Sequence, residues 1–237
     1  MIAIGRIKAI YKYGSTGYWI LSGLYRSPIQ FAFAFLNSLI CTKRLCGHYW
    51  PIKVRVAAGQ RFDVNCSSSK SVHVSGILSV VPFIGSRLPS SLTLNPESDL
   101  VLSGDFEIGP NVHILVGSGA SLTIGGCSNG NACGITSDSY ILVERSVKIG
   151  SDCIIASNVF ISDSNWHDIN GRERNAPINI GNKVWISHGV SILKGAIIPS
   201  GCIVGAKSVI SSVIEEENAL IVGVPGAVRS VGVKWSK

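Results

Sequence analysis

The sequence predicts an all-β solenoid, in which short strands and tight turns stack around one aliphatic core. Three observations predict it. Aliphatic residues return every six positions through the C-terminal half. Glycine is abundant, at 26 of 237 residues, above the usual share of about 7%. Charged residues make up 15% of the chain and hydrophobic ones 46%, where roughly 25% charged is ordinary. The same figures exclude a disordered chain, which needs low hydrophobicity and much charge. They also exclude a long coiled coil, which needs Ala, Glu, Lys and Leu in quantity.

Residues 1–50 read as an apolar, partly helical N-terminal segment. The stretch 17–41 is the most apolar, interrupted by Arg26, Pro28, Gln30 and Asn37. Its clean run, Phe31 to Cys41, is short of the roughly 20 residues a membrane span needs. No small-residue cleavage site follows it to mark a signal peptide. A helix packed on the body or on a partner subunit is the plain expectation. A peripheral membrane contact, with Lys8, Lys12, Arg26, Lys43 and Arg44 nearby, is the sharper one. From residue 52 to 81 the pattern turns strand-like, as Ile52, Val54 and Val56 alternate with Lys53 and Arg55. Residues 51–232 are expected to form the solenoid, and 233–237 a tail.

The repeat is clearest from Ile178 onward. Ile180, Ile186, Ile192, Ile198, Val204 and Ile210 stand six apart, each preceded two residues earlier by Ile178, Val184, Val190, Ala196, Cys202 or Ser208. A second series runs Val143, Ile149, Ile155 and Ile161, preceded by Ile141, Val147, Cys153 and Val159. A third is Leu102, Ile108 and Ile114, preceded by Leu100, Phe106 and Val112. A period of six fits neither a helix nor plain strand alternation. It fits a short strand plus a turn, with Gly, Asn or Asp where positive φ is needed. Each buried Ile or Val contributes roughly 1.5–3 kcal/mol, so a ladder of a dozen can support the domain.

The net charge is +7, from 21 basic and 14 acidic residues. No basic block longer than Lys43-Arg44 and no nucleic-acid motif occurs, so an anionic substrate or cofactor fits better than nucleic acid. The seven cysteines lack C-x-x-C spacing, which argues against a zinc or thioredoxin site. They are expected to be reduced and mostly buried, in a cytoplasmic protein. No metal is expected.

The register breaks once in the strong region, between Ile161 and Ile180. The excursion, residues 162–177, holds Asp163, Asn165, Trp166, His167, Asp168, Arg172, Glu173 and Arg174. A polar loop leaving a rigid solenoid is where function is expected. Histidine ordinarily titrates near pH 6.5, so it can take a proton at neutral pH. Asp163 and Asp168 are placed in sequence to orient the His167 ring.

The repeat Ile-Gly-x-x-Val-x resembles that of the hexapeptide-repeat acyltransferases, most clearly over 141–229. Within it, the excursion followed by Pro177-Ile-Asn-Ile-Gly-Asn-Lys-Val-Trp-Ile186 is similar to the region of galactoside, maltose and polysaccharide O-acetyltransferases that holds their catalytic histidine. The loop Asp163-Ser-Asn-Trp-His167 and Trp235 look most like the bacterial polysaccharide enzymes, including those of capsules. The resemblance implies a left-handed parallel β-helix, three strands to an 18-residue coil, assembled as a homotrimer. It implies acetyl-CoA as co-substrate and His167 as the general base. Carried over residue by residue, it puts Ala206 and Lys207 along the pantetheine arm, Ser211 near its end and Trp185 in or beside the acyl site. His188 stands where relatives set a small polar residue against coenzyme A. Arg229 and Lys234 are phosphate candidates, and Asp163, Asn165 and Trp166 would meet the acceptor. Two positions depart from the pattern. Ser211-Ser212-Val213 stand where Thr-Lys-Asp is common, and Ala227 stands where a basic residue is common.

The expected activity is transfer of an acetyl group to a sugar hydroxyl of a polysaccharide or glycan precursor. Serine or an amino sugar is the alternative acceptor, and a non-catalytic β-helical assembly subunit is the alternative outside enzymes.

Overall fold

The computed structural model describes residues 27–66, 71–83, 86, 88–127 and 133–236. The expectations for Lys8, Lys12 and Arg26 fall outside them. The chain is mostly β with one N-terminal helix, and it coils as a left-handed parallel β-helix with three faces. The first face stacks Val54–Val56, Leu78–Val80, Phe106–Ile108, Gly134–Ile135, Ile154–Ile155, Trp185–Ile186, Ile203–Val204 and Leu220–Gly223. The second stacks Phe62–Cys66, Ser90–Leu94, Val112–Val116, Ser139–Val143, Phe160–Ser162, Ser191–Leu193 and Val209–Ile210. The third stacks Ser71–Val74, Asp99–Leu102, Ser121–Gly126, Ser146–Ser151, Ile178–Ile180 and Ile197–Ile198. At the C-terminal end Gly226–Ser230 turns back antiparallel on Leu220–Gly223.

The hexad residues form columns. On the second face Val64, Leu92, Ile114, Ile141, Ile161, Ile192 and Ile210 lie in register, all buried. Between the first and second faces the corner residues Asn111, Asp138, Asn158, Gly189 and Lys207 all have positive φ. Asn, Asp and Gly tolerate that conformation, and a lysine there is unusual. Coil length varies. Ile186 pairs with Val204, 18 residues on. Leu78 pairs with Phe106, 28 residues on, because the early coils carry wider turns.

The helix α1 (Pro28–Cys46) starts with proline in its first turn and ends at Gly47, whose φ is 78° and whose N–H donates to the Lys43 carbonyl. Its inner side, including Phe31, Ala34, Ser38, Cys41, Thr42 and Leu45, is buried. It lies on the strands of the first coil, whose outer edges would otherwise expose unpaired backbone groups. Its hydroxyls meet that need. The Val56 N–H donates to Ser38 Oγ at 2.9 Å. The N–H groups of Lys53 and Val54 donate to Thr42 Oγ1 at 3.2 and 3.0 Å. Thr42→Val keeps the shape and deletes the acceptor, so urea unfolding should show a loss of about 1–3 kcal/mol. Thr42→Ser should restore most of it. Equal stability of Thr42→Val and wild type would remove this capping role.

One cysteine expectation is corrected. Cys127 and Cys133 are joined by a disulfide, with Cα atoms 5.7 Å apart, rather than standing as separate reduced thiols. The pair joins the end of the third face to the start of the first, and spacing in sequence gives no sign that the two meet. Cys41, Cys153 and Cys202 are buried and outside any disulfide. Burial pushes the Cys41 thiol up to about 11 and also raises Cys202. Such thiols are poor nucleophiles.

Candidate active site

The excursion leaves the second face after Ser162 and rejoins the third at Ile178. It is a small twisted hairpin. Ser164 bridges Asn175 and Ile169 bridges Arg172, both antiparallel. The tip, Asn170-Gly171, has φ of 53° and 70°, the pair of positive values that a type I′ hairpin turn demands. Asn165 N–H donates to the Arg174 carbonyl at 3.0 Å, and Ala176 N–H to that of Asp163 at 2.9 Å.

Asp163 anchors the base. It is fully buried. Its Oδ1 accepts the Glu144 N–H at 2.7 Å, and its Oδ2 accepts those of Arg145 and Ser146 at 2.8 and 2.7 Å. The carboxylate thus closes the turn of the preceding coil, where the excursion has removed the next turn of the stack. This corrects two expectations. Asp163 neither orients His167 nor reaches an acceptor, because both oxygens are spent on backbone and none is open to solvent. Asp168 pairs with Arg174 Nε at 3.7 Å. Burial, then the neighbouring Asp163 charge, raises the Glu144 carboxyl above its ordinary value, and Arg174 opposes this. Arg145 bonds Glu173 and the Asn175 carbonyl from the coil before the hairpin. Lys194 Nζ bonds the Glu173 carbonyl from the coil after it, at 2.6 Å.

On this braced arm Asn165, Trp166 and His167 are all exposed. Trp166 has a φ of 62°, a costly conformation for a bulky residue. Its N–H is tied to Ser164 Oγ at 2.9 Å. The kink sits beside His167. Neither His167 ring nitrogen has a hydrogen-bond partner among the described residues, so both are open to an incoming hydroxyl.

The cofactor candidates divide. Trp185, 39% exposed, stands outward on the first face between Ile154 and Ile203 in the adjoining coils. The tail folds onto it. The Trp235 ring lies 6.2 Å from the Trp185 ring, and Trp235 Nε1 donates to the Lys183 carbonyl at 3.2 Å. His188 and Lys207 meet at the next corner. Lys207 N–H donates to the His188 carbonyl at 3.0 Å, and Ser157 Oγ lies 3.2 Å from His188 Nδ1. The Lys207 side chain crosses Gly189, where a Cβ would come within 2.7 Å of it. Ala206 is exposed on the same corner. Ser211, past the last strand of the second face, and Arg229, on the closing antiparallel strand, are exposed but share no hydrogen bond or ion pair with that group among the described residues. Lys234 is exposed beside Trp235 in the tail. The sequence does not reveal Ser157 or the Trp185–Trp235 contact. An i-to-i+31 and an i-to-i+50 pairing leave no local trace in sequence.

Two concavities among the described residues lie away from the arm. One of about 750 Å³ runs along α1, lined by residues such as Gln30, Phe33 and Arg61. Another, of about 430 Å³, is lined by Pro82, Phe83, Cys133 and Ile154. Neither reaches His167 or Trp185.

No family model matches the chain. It is 39% identical over 104 residues to WbbJ of Escherichia coli (strain K12), named for lipopolysaccharide biosynthesis O-acetyl transfer; the match covers 38% of this chain and 52% of that protein. The chain thus spans about half the length of that relative. It is 28% identical over 184 residues to the galactoside O-acetyltransferase of the same organism, covering 74% of this chain and 86% of that one. Among solved structures, the polysialic acid O-acetyltransferase OatWY superposes with a TM-score of 0.56 at 24% identity, over 75% of this chain and 90% of that one. This last likeness is one of fold.

Proposed function

We propose that this hexapeptide-repeat chain is an O-acetyltransferase that moves an acetyl group from acetyl-CoA to a sugar hydroxyl of a glycan. The observation that carries the reading is an exposed, unpartnered imidazole on a braced arm, at the one interruption of the strong repeat. Similarity to sugar O-acetyltransferases supports it. A neutral alcohol attacks poorly, so a base must remove its proton as the C–O bond forms. His167 takes that proton, the oxygen attacks the thioester carbonyl, and backbone N–H groups hold the oxyanion. The tetrahedral intermediate collapses with loss of coenzyme A thiolate, and the imidazolium returns the proton. No cysteine is needed as nucleophile.

In this reading Trp185, His188, Ala206 and Lys207 line the pantetheine path, and Arg229 or Lys234 meets the phosphates. Their exposure fits a groove completed by a neighbouring subunit. The outer side of the second face favours such packing. Tyr140 and Phe160 lie in register there, with Leu115 and Leu142 in a second apolar row. A homotrimer is therefore expected, and light scattering should return three chains per particle. Tyr140→Lys should shift that mass downward and reduce activity with it. A fully active monomer would discard the shared groove.

The test of the activity is a panel of hydroxyl and amine acceptors with acetyl-CoA, read by thiol release and by the mass of the product. Transfer to sugar hydroxyls supports the reading. Transfer confined to amines or serine moves the chain to another acceptor class. No transfer, with no thermal stabilisation by coenzyme A, makes it an assembly subunit.

A further inference from the structure

The outward side of α1 has no partner among the described residues. Ile29, Phe33, Leu36 and Ile40 are 73%, 71%, 55% and 46% exposed. Their spacing of four, three and four puts them in one stripe along the helix. Just past the helix C-terminus Tyr49 and Trp50 are 56% and 63% exposed, and Lys43 Nζ lies 5.5 Å from the Tyr49 ring centre. Such a patch marks an interaction surface.

Charge says what kind. The first 62 residues hold nine Lys and Arg and no Asp or Glu. The remaining 175 hold 12 basic and 14 acidic residues, so the positive charge of the chain lies wholly at its N-terminal end. An apolar helical stripe flanked by cations and by Tyr and Trp is the make-up of a helix lying in a lipid headgroup layer. No described helix is long and apolar enough to cross a membrane, and α1, with its inner side buried on the first coil, would lie along the surface.

We propose that α1 docks on the anionic face of a lipid bilayer. Because its inner side covers the first coil, the solenoid then stands end-on above the lipid. Along the second face, four coil steps separate the strand Phe62–Cys66 from Phe160–Ser162, which leads to His167. At about 4.8 Å per step, the arm stands roughly 19 Å beyond the capped end. That height suits a glycan borne on a lipid carrier, a consequence that rests on the acyl-transfer reading; the docking itself does not.

The full chain should co-sediment with phosphatidylglycerol vesicles at low salt, and at least tenfold less with phosphatidylcholine vesicles. High salt should weaken the first. Phe33→Glu/Leu36→Glu should cut binding to phosphatidylglycerol at least tenfold. Phe33→Gln/Leu36→Gln, which adds no charge, should do so severalfold. Both variants should keep the wild-type melting temperature and transfer to a soluble acceptor. Three results overturn the proposal: no sedimentation of wild type, binding by both variants within twofold of wild type, or a change in particle mass or melting temperature in both. The last would mean that residues 1–26 or a second copy cover the stripe. Transfer to the soluble acceptor is scored apart, so loss of docking and failure of the acyl-transfer reading remain distinct.

Discussion

His167→Ala is expected to lower kcat by about 10²–10⁴, the usual cost of losing a general base. At 1.36 kcal/mol per decade that is roughly 3–5 kcal/mol of transition-state stabilisation. Coenzyme A affinity and melting temperature should hardly move. The ring is exposed and makes no hydrogen bond among the described residues, so its removal leaves no buried group wanting a partner. Steady-state kinetics beside a thermal melt would decide it. If the variant keeps more than about a tenth of wild-type kcat, a proton transfer of the usual size is excluded, and His167 is an ordinary surface residue.

Asp163→Ala should show the opposite signature. It strips the acceptor from three backbone N–H groups at the foot of the arm. Hydrogen bonds to a charged group contribute about 1.5–3 kcal/mol each, and buried donors left alone add a penalty. A loss of at least about 3 kcal/mol is expected, or about 6–12 °C in Tm for a chain of this size. Activity should fall with it, since the arm loses its footing. Asp163→Asn keeps one acceptor oxygen and should fall between the two. Loss of activity with an unchanged Tm would return Asp163 to the acceptor site.

These contrasting roles show what sequence can and cannot carry. The hexad columns were legible from Leu100 to Ile210, because burial on alternate sides of a short strand forces an aliphatic at a fixed spacing. The bounds of the arm were legible too, as the place where that spacing fails. The first coils were not, since turns of unequal width hide the period between Leu78 and Phe106. The arm's hairpin has a readable sign in Asn170-Gly171, a pair suited to a two-residue turn. Asp163 could not have been assigned from its neighbours. A carboxylate near a histidine suggests an orienting pair, and only the stacking of coils reveals that residue 163 lies against the turn at 144–146. His188 and Ser157, or Trp185 and Trp235, meet only because the chain has wound between them.

The hydroxyls of α1 bear on a different matter, the finite length of the molecule. A solenoid of parallel strands has no internal reason to stop. Its terminal coil offers the same open backbone edge that each coil offers the next, and a second molecule could continue the stack. Ser38 and Thr42 occupy donor positions that an added coil would need. At the far end Gly226–Ser230 reverses direction against the last strand of the first face, so a parallel coil finds no matching edge there. The first face is closed at one end by side-chain oxygens and at the other by a change of strand polarity, and along that face the stack does not propagate head to tail into a fibre.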